Sequence, residues 1–348
     1  MPAPPRPFPR STQPLPIPEL LPPALSVKRL AILGAHAPHR SEDAIARAAR
    51  RLGLEATTFD VLRTHRRLGP LAGPLLQRRI ERFAPDFILC TRHAWRLGLP
   101  RLAQLLRGRR SAFWFFDAIS HEGVLELGQL CDVMYTTYAN QRGLWHARGV
   151  PTVRWLPQAL DPDLEQPVTV RRPEDRCDAS FIGSGQYPHR WPMLTAVAKM
   201  CDLRIWGANW DGAPATLRIA GGPVVGPRFA EVVGASAVSL GANAVPAQDS
   251  EYASASDRMW KIFGCGGAYV GPWVEGIETM AEHRVHCRWY RTIEECVAEV
   301  QALLADPEER VAMAARGRAH ALAHHTYDDR LRLLLTDQEM PFAPPIVT

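Results

Sequence analysis

Short apolar segments alternate with amphipathic ones along most of the chain, and this rhythm restricts the folds that it can adopt. In the first half, the segments that fit buried strands are Leu30–Leu33, Ala56–Val61, Phe87–Thr91, Ala112–Phe116, Val133–Thr137 and Val153–Leu156. The stretch Glu42–Leu52 repeats its apolar residues at helical spacing, and Ser41 is placed to cap it. Such alternation predicts βαβ units around a parallel sheet.

The same rhythm starts again after Gln158–Asp175, a polar and proline-punctuated stretch that is typical of a linker. The second series of strand segments is Ala179–Ile182, Leu203–Trp206, Pro223–Val225, Ala237–Leu240, Ala268–Val270 and Val285–Trp289. Helices are predicted at Pro192–Met200, Arg258–Phe263, Ile293–Leu304 and Glu308–Ala323. A chain of 348 residues exceeds what one core usually serves. We therefore expect an α/β protein with two Rossmann-like domains, residues 27–165 and 166–335.

Prolines crowd the first 26 residues, and this density excludes helix and favours extended polyproline II. We predict a disordered, proline-rich tail over residues 1–26, with a partner-binding proline motif as the alternative. A second, short tail is expected at residues 336–348.

The composition of the chain limits the classes of partner that it can bind and indicates the cellular compartment. The net charge of +5 comes mostly from scattered arginines rather than a continuous basic face interleaved with aromatics, so no nucleic-acid partner is expected. The seven cysteines form no C-x-x-C pair, which favours reduced thiols in the cytoplasm. No apolar stretch reaches the roughly 18 residues needed to span a bilayer, so we expect no integral membrane segment.

Loops that follow parallel strands lead into helix N-termini, where phosphate groups bind in open α/β sheets. The loop after the first strand has one glycine, Gly34, where a dinucleotide fingerprint needs three, which disfavours NAD or FAD. The loop after the first strand of the second domain begins Gly183-Ser184 and is followed by Arg190. Glycine lets the backbone approach a ligand closely, and the nearby hydroxyl and guanidinium could hold phosphate oxygens. The alternative is an ordinary turn between strand and helix.

A short helix with two cations is predicted within Ser256–Gly267. Ser256 or Asp257 can cap its start. Arg258 and Lys261, three residues apart, are expected on the same face near the positive end of the helix, where two cations could grip a diphosphate. A surface helix with basic residues is the alternative.

The second half carries a series of motifs in a fixed order: Phe181–Ser184 with Arg190, Ser256–Gly267, Tyr290, Asp306-Pro307, and His325-Thr326-Tyr327 with Arg330. These motifs resemble the spore-maturation CgeB-type family of GT-B glycosyltransferase-like proteins. The resemblance extends over about residues 28–335. It implies two Rossmann-like domains of the GT-B type that face each other across a cleft. It also implies a nucleotide-sugar donor bound mainly by the second domain and an acceptor bound mainly by the first.

The resemblance implies donor contacts at Gly183, Ser184, Arg190 and Arg258, to which we add Lys261 and Tyr290 from the same motifs. It also implies metal-independent chemistry, in which basic residues and helix N-termini neutralise the departing diphosphate. Neither His36-x-x-His39 nor His283-x-x-His286 has the spacing of a closed zinc site. No cofactor is therefore expected, because the nucleotide-diphosphate sugar is a substrate.

Four residues at or near the expected carboxyl edge of the first sheet are candidates for a catalytic base: Asp117 and His36, which we choose, and His39 and His121. Asp117 directly follows the aromatic strand, and His36 lies in the loop after the first strand. Either could deprotonate an acceptor hydroxyl if the reaction inverts the sugar configuration. A capping aspartate and a solvated histidine are the alternatives.

One position departs from the family pattern, because Lys261 stands where the family has a glutamate. Related GT-B enzymes use such a glutamate to accept hydrogen bonds from ribose hydroxyls, which a lysine cannot do. Either Lys261 contacts phosphate instead, or the donor differs, or nucleotide binding has decayed. We expect a glycosyltransferase that moves a sugar from a nucleotide-diphosphate sugar to an unidentified glycan, protein or small molecule. The alternatives are a non-catalytic nucleotide-sugar-binding or assembly protein and a nucleotide-sugar epimerase.

Overall fold

The computed structural model describes residues 8, 27–117, 121–244 and 256–341. By its internal contacts the chain forms two units. The first unit comprises Pro16–Asp161 and Thr326–Thr348, and the second comprises Met1–Leu15 and Pro162–His325. Apart from Phe8, the predicted tail over residues 1–26 lies outside the described residues, as do residues 342–348 of the predicted C-terminal tail.

The first unit is built on a six-stranded parallel sheet. Its strands are β1 (Arg29–Gly34), β2 (Glu55–Asp60), β3 (Phe87–Cys90), β4 (Arg110–Phe115), β5 (Val133–Thr136) and β6 (Val153–Trp155). The helices between them are α1 (Ser41–Arg51), α2 (Val61–Leu68), α3 (Ala72–Phe83), α4 (Leu99–Leu106), α5 (Val124–Leu130) and α6 (Gln141–Ala147). The strand order is β2-β1-β3-β4-β5-β6. β3 and β4 are central and almost wholly buried, which explains why both contain continuous apolar runs.

The second unit repeats this plan with a second six-stranded parallel sheet. Its strands are β7 (Cys177–Ile182), β8 (Leu203–Trp206), β9 (Arg218–Gly221), β10 (Ser236–Leu240), β11 (Tyr269–Pro272) and β12 (Arg288–Tyr290). Its helices are α7 (Trp191–Ala198), α8 (Pro227–Ala235), α9 (Asp257–Gly264), α10 (Ile293–Ala305) and α11 (Pro307–His324). The strand order is β12-β11-β10-β7-β8-β9. The predicted α/β class with two Rossmann-like halves is confirmed.

The strand predicted at Pro223–Val225 is wrong, because these residues form no strand. The edge strand of the second sheet is β9, a few residues earlier in the chain. Proline has no amide hydrogen to give to a sheet ladder, so the chain pairs through the segment that precedes it.

A last helix, α12 (Tyr327–Leu335), belongs to the first unit. It begins with a capping box, in which Thr326 Oγ1 accepts from the backbone N–H of Asp329 and the Asp329 carboxylate accepts from the backbone N–H of Thr326. The sequence-based division assigned these residues to the domain 166–335. Leu331 and Leu334 are fully buried, and α12 packs against α1, which accounts for its return to the first unit.

Two polar side chains fix α12 to the rest of the first unit. Arg330 is fully buried, and its Nε donates to the carbonyl oxygen of Pro157 at 2.9 Å. The hydroxyls of Tyr327 and Ser41 lie 2.9 Å apart. The prediction that Ser41 caps α1 is wrong, because Arg40 is the N-cap residue and the Ser41 hydroxyl bonds to Tyr327 instead.

Candidate functional site

The second sheet reverses its strand order between β7 and β10. β8 and β9 lie on one side of β7, whereas β10, β11 and β12 lie on the other. In open α/β sheets, ligands bind at such a reversal, outside the carboxyl ends of the strands. The β7–β10 switch site is therefore defined by residues 183–190 after β7, residues 241–243 after β10, and Arg258.

Arg258, in the first turn of α9, links the two loops of the β7–β10 switch site. Its Nε donates to the carbonyl oxygen of Ile182 at 2.6 Å, and its Nη1 donates to that of Ala242 at 3.2 Å. Its guanidinium carbon lies 4.7 Å from the centre of the Phe181 ring. Burial lowers the pKa of Arg258, yet an arginine stays protonated at neutral pH. No carboxylate among the described residues forms an ion pair with Arg258, so its charge is available to an anion.

Arg190, immediately before α7, joins the same two loops. Its Nε donates to the carbonyl oxygen of Asn243 at 2.8 Å and its Nη1 to that of Ser184 at 3.3 Å. The Ser184 hydroxyl accepts from the side-chain amide of Asn209 at 3.2 Å. The structure thus brings together four of the residues predicted to contact the donor: Gly183, Ser184, Arg190 and Arg258.

The loop after β7 also contacts the loop after β8, and only glycine fits at two of these contacts. A Cβ on Gly207 would overlap the carbonyl group of Gly183, and a Cβ on Gly185 would overlap that of Asn209. These close approaches fix the backbone on which Ser184 is placed. Sequence analysis missed Gly207, although it follows β8 directly, as Gly183 follows β7.

The remaining two predicted donor residues, Lys261 and Tyr290, are each bonded to a neighbouring group of the protein. Lys261 Nζ lies 2.7 Å from Asp257 Oδ2, one turn earlier on α9. Burial opposes the charge of Lys261, but the Asp257 carboxylate outweighs burial, so the pKa of Lys261 is raised. Tyr290 is buried, and its hydroxyl donates to the carbonyl oxygen of Gly241 at 2.9 Å. Lys261 therefore neutralises Asp257, and Tyr290 supports the loop after β10.

Replacing Lys261 by glutamate, the residue of the family pattern, should lower the free energy of unfolding by roughly 1–2 kcal/mol. The Lys261 side chain is only 25% exposed, so a carboxylate there would face Asp257 with little screening by water. The charge of Glu165 also acts on this position and would add to the repulsion. Urea unfolding followed by circular dichroism measures the change.

Lys261→Gln is the matched control, because it removes the ion pair without adding a second negative charge. It should destabilise the protein less than Lys261→Glu does. Equal stability of the two variants would show that repulsion from Asp257 and Glu165 is not felt at this position.

The first sheet has a reversal of its own, between β1 and β3, because β2 alone lies on the other side of β1. The β1–β3 switch site is defined by residues 35–40 after β1, residues 91–96 after β3, and residues 116, 117 and 121 after β4. It contains both predicted catalytic residues, His36 and Asp117. His36 follows β1 and Asp117 follows β4, and β3 lies between these two strands in the sheet.

His36 is paired with a buried carboxylate. Its Nδ1 lies 2.6 Å from Asp43 Oδ1, and Asp43 Oδ2 accepts from the backbone N–H of Ala37 at 2.6 Å. The His36 side chain is 55% exposed, whereas the Asp43 side chain is 8% exposed. Asp43 in the first turn of α1 therefore orients an accessible imidazole. Sequence analysis missed Asp43, although an acidic residue at the start of the helix was visible.

Asp117 has a different environment. Its Oδ2 accepts from Arg92 Nη1 at 2.9 Å and lies 3.6 Å from His121 Nε2. The Asp117 side chain is 36% exposed. The Asp117 carboxylate is thus already engaged by a guanidinium, whereas the His36 ring is the more exposed of the two. The accessible imidazole of His36 is the better proton acceptor of the two.

The described residues bear on three further expectations. No group of three or more His, Cys, Asp or Glu side chains is arranged to hold a metal ion among them. In the motif His283-x-x-His286, each histidine accepts a hydrogen bond from a backbone N–H. His283 accepts from Trp289 at 2.9 Å and His286 from Glu282 at 3.1 Å. All seven cysteines are free thiols. Within the described ranges, no helix combines the length and the apolar character that crossing a membrane requires.

Comparison with known families finds one match, in the second half of the chain. Residues 190–336 match the family described as "Glycosyl transferase-like". This segment includes Arg190 and Arg258 of the β7–β10 switch site. No curated protein sequence matches the chain.

Several solved structures are similar in fold to most of this chain. Anabaena Alr3699/HepE, in complex with UDP and glucose, is similar with a TM-score of 0.63 and 13% identity, over 89% of this chain and 99% of that one. Sucrose-phosphate synthase from Thermosynechococcus elongatus has a TM-score of 0.60 and 13% identity, over 89% and 98%. A putative UDP-N-acetylglucosamine 2-epimerase from Listeria monocytogenes has a TM-score of 0.52 and 11% identity, over 92% and 100%. The two parallel-sheet units are those of the GT-B architecture.

Proposed function

We infer that this chain, a GT-B fold whose residues 190–336 match glycosyl transferase-like proteins, is a glycosyltransferase that takes its sugar from a nucleotide-diphosphate donor. One observation carries the inference. Arg258 is held at the β7–β10 switch site by two backbone carbonyls and has no ion-pair partner among the described residues. A fixed cation at a topological switch point is suited to a diphosphate.

The donor we propose is a UDP-sugar. The similar HepE structures were solved with UDP, with UDP and glucose, and with UDP-glucose. In the present chain Arg258 and Arg190 would face the diphosphate, and the backbone around Gly183 and Ser184 would approach it closely. The same cations would neutralise the departing UDP, so we propose chemistry that needs no metal ion. The finer assignment to the CgeB type is part of this proposal and rests on the motifs.

The first unit is proposed to hold the acceptor, a glycan, a protein or a small molecule, with no nucleic acid involved. With Nδ1–H donated to Asp43, the Nε2 lone pair of His36 can accept the proton of an acceptor hydroxyl. The hydroxyl oxygen then forms a bond to the anomeric carbon, while the bond from that carbon to UDP breaks and UDP keeps the electron pair. Asp43 stabilises the imidazolium, and Asp117 holds Arg92 in place. A cytoplasmic location is proposed, supported by the free thiols.

A non-catalytic nucleotide-sugar-binding protein is the second candidate, because Lys261 replaces the glutamate of the family pattern and pairs with Asp257. An epimerase on the same architecture is the third, and it would turn over donor without an acceptor. Lys261→Glu separates the first two candidates. A gain in donor affinity or turnover would indicate a decayed site, and a loss would show that lysine is the functional residue.

The proposed function is tested with a thermal-shift panel of UDP-, GDP-, dTDP- and CMP-sugars. A ligand that binds only the folded state at about 100 times its Kd adds about 2.7 kcal/mol to the stability. UDP-glucose should therefore raise Tm by roughly 5–10 °C. Release of UDP from UDP-glucose is then measured with and without candidate acceptors. A folded protein that no nucleotide sugar stabilises would contradict the proposal.

A further inference from the structure

Four arginines surround one histidine in the first unit. Arg40 belongs to the loop after β1, and Arg92 and Arg96 follow β3. Arg66 lies on α2, which packs against the 3₁₀ turn Ala94–Leu97. Arg92 Nε lies 3.4 Å from His93 Nε2, and the charges of Arg40, Arg96 and Arg66 also act on His93. We call these four residues, Arg40, Arg66, Arg92 and Arg96, the arginine edge.

Part of the charge of the arginine edge is not balanced by carboxylates. Arg92 pairs with Asp117 at 2.9 Å. Arg40, Arg66 and Arg96 form no ion pair with any residue that the structure describes. The three residues of the nearby loop that lie outside the description, 118–120, read Ala-Ile-Ser and carry no charge. The charge of Arg40 also acts on Glu42, a buried carboxyl whose pKa is raised by burial. The four arginines of the edge therefore outnumber Asp117 and Glu42, the two carboxyl groups that interact with them.

The pKa of His93 is lowered by burial and by these positive charges. Burial and then the charges of Arg92, Arg40, Arg96 and Arg66 lower the pKa of His93 to about 4. The imidazole is consequently neutral at pH 7, and it can accept or donate a hydrogen bond without adding charge. Like charges held together cost free energy unless an anion joins them, so the arrangement favours binding of an anion.

Arg96 is preorganised for such a contact. Its guanidinium carbon lies 4.8 Å from the centre of the Trp95 ring, and its Nε is buried with no hydrogen-bond partner among the residues that the structure describes. An arginine stacked on an aromatic ring loses little side-chain freedom when it binds an anion. The Trp95 side chain packs closely on Gly123, where a Cβ would overlap it, and against the apolar core of the first unit.

We infer that the acceptor of this protein carries an anionic group, as a phosphorylated sugar or a uronic acid does, and that the arginine edge binds that group. The inference rests on the proposed function, because it assumes that the first unit holds the acceptor. His36 and Arg40 lie in the same loop after β1, so the anion and the reacting hydroxyl would be held by one short segment. The alternative anionic ligand of the arginine edge is the diphosphate of the donor. The experiment distinguishes an anionic acceptor from this diphosphate.

Isothermal titration with glucose 6-phosphate, glucuronate and glucose, in the absence of donor, tests the inference. At least one of the two anions should bind at least ten times more tightly than glucose. Arg40→Gln combined with Arg96→Gln should weaken that binding at least tenfold. Arg78→Gln combined with Arg79→Gln is the matched control, because it removes the same charge from the exposed face of α3 and should leave binding unchanged. Arg66→Gln, at an exposed position, gives a second variant if the half-buried pair disturbs folding.

The outcomes are distinct. The inference is supported if the protein still prefers an anionic sugar when it is saturated with UDP. This preference should depend on the arginine edge and not on Arg258. Loss of the preference when UDP is present would assign the edge to the donor and overturn the inference, while leaving the proposed function intact. Equal binding of all three sugars would also overturn it. If the protein binds an anionic sugar but no nucleotide, the arginine edge is still an anion site, and the proposed function is rejected.

Discussion

Replacement of Arg258 by alanine should weaken UDP binding roughly 100-fold, because a hydrogen-bonded charge pair in a half-buried site contributes about 2–5 kcal/mol to affinity. The guanidinium is fixed by the carbonyl oxygens of Ile182 and Ala242 before any ligand arrives, so binding requires little reordering of its side chain. Isothermal titration with UDP measures the effect. Arg258→Lys keeps the charge but loses the planar fork, and an intermediate affinity is expected.

Arg284→Ala serves as the control for this experiment. Arg284 belongs to the same unit, but its side chain is 66% exposed and pairs with Glu299. UDP affinity should change less than twofold in this variant, because an exposed ion pair contributes little. If Arg258→Ala were as mild as Arg284→Ala, the assignment of the diphosphate to the β7–β10 switch site would be wrong.

The second large effect is on stability. Arg330→Ala should lower the free energy of unfolding by about 3–5 kcal/mol, since it leaves a cavity and strands a buried carbonyl oxygen on Pro157. Burial lowers the pKa of Arg330 to about 10, which still leaves the group charged at neutral pH. Thermal unfolding should show a decrease in Tm of roughly 10 °C.

Arg332, two residues later on α12, provides the comparison. Its side chain is 27% exposed and pairs with Asp329 at 3.2 Å, so Arg332→Ala should cost less than about 1 kcal/mol. UDP affinity should be unchanged in both variants under conditions where they are folded. Similar stability of Arg330→Ala and Arg332→Ala would show that the buried arginine does not anchor α12.

The sequence predicts most strands of the two sheets, because parallel strands are buried on both faces and contain continuous apolar runs. β1, β3 and β4 show this signal, whereas the edge strand β9 does not and was placed wrongly. The rule that ligands bind outside the carboxyl ends of strands then selected the loops that contain Gly183 and His36. Strand order, by contrast, depends on long-range packing that local apolar patterns do not encode.

The details of the two switch sites depend on partners that are distant in sequence. Arg258 bonds to Ile182 and Ala242, and nothing near Arg258 in the sequence indicates those carbonyls. The ion pair of Lys261 with Asp257 could be predicted from the sequence. Asp257 lies four residues before Lys261, the spacing at which opposite charges pair on a helix.

The chain leaves the first unit after Asp161 and re-enters it at Thr326, so the segment Pro162–His325 is inserted within the first unit. A ribosome releases the chain from its N-terminal end, and domains fold as units when their residues have emerged. The inserted segment is complete once His325 has emerged, whereas the first unit still lacks α12 and the buried Arg330. The first unit, most of which is translated before the inserted segment, is therefore the last to finish folding. A nascent chain stalled before Tyr327 would expose the surface that α12 covers.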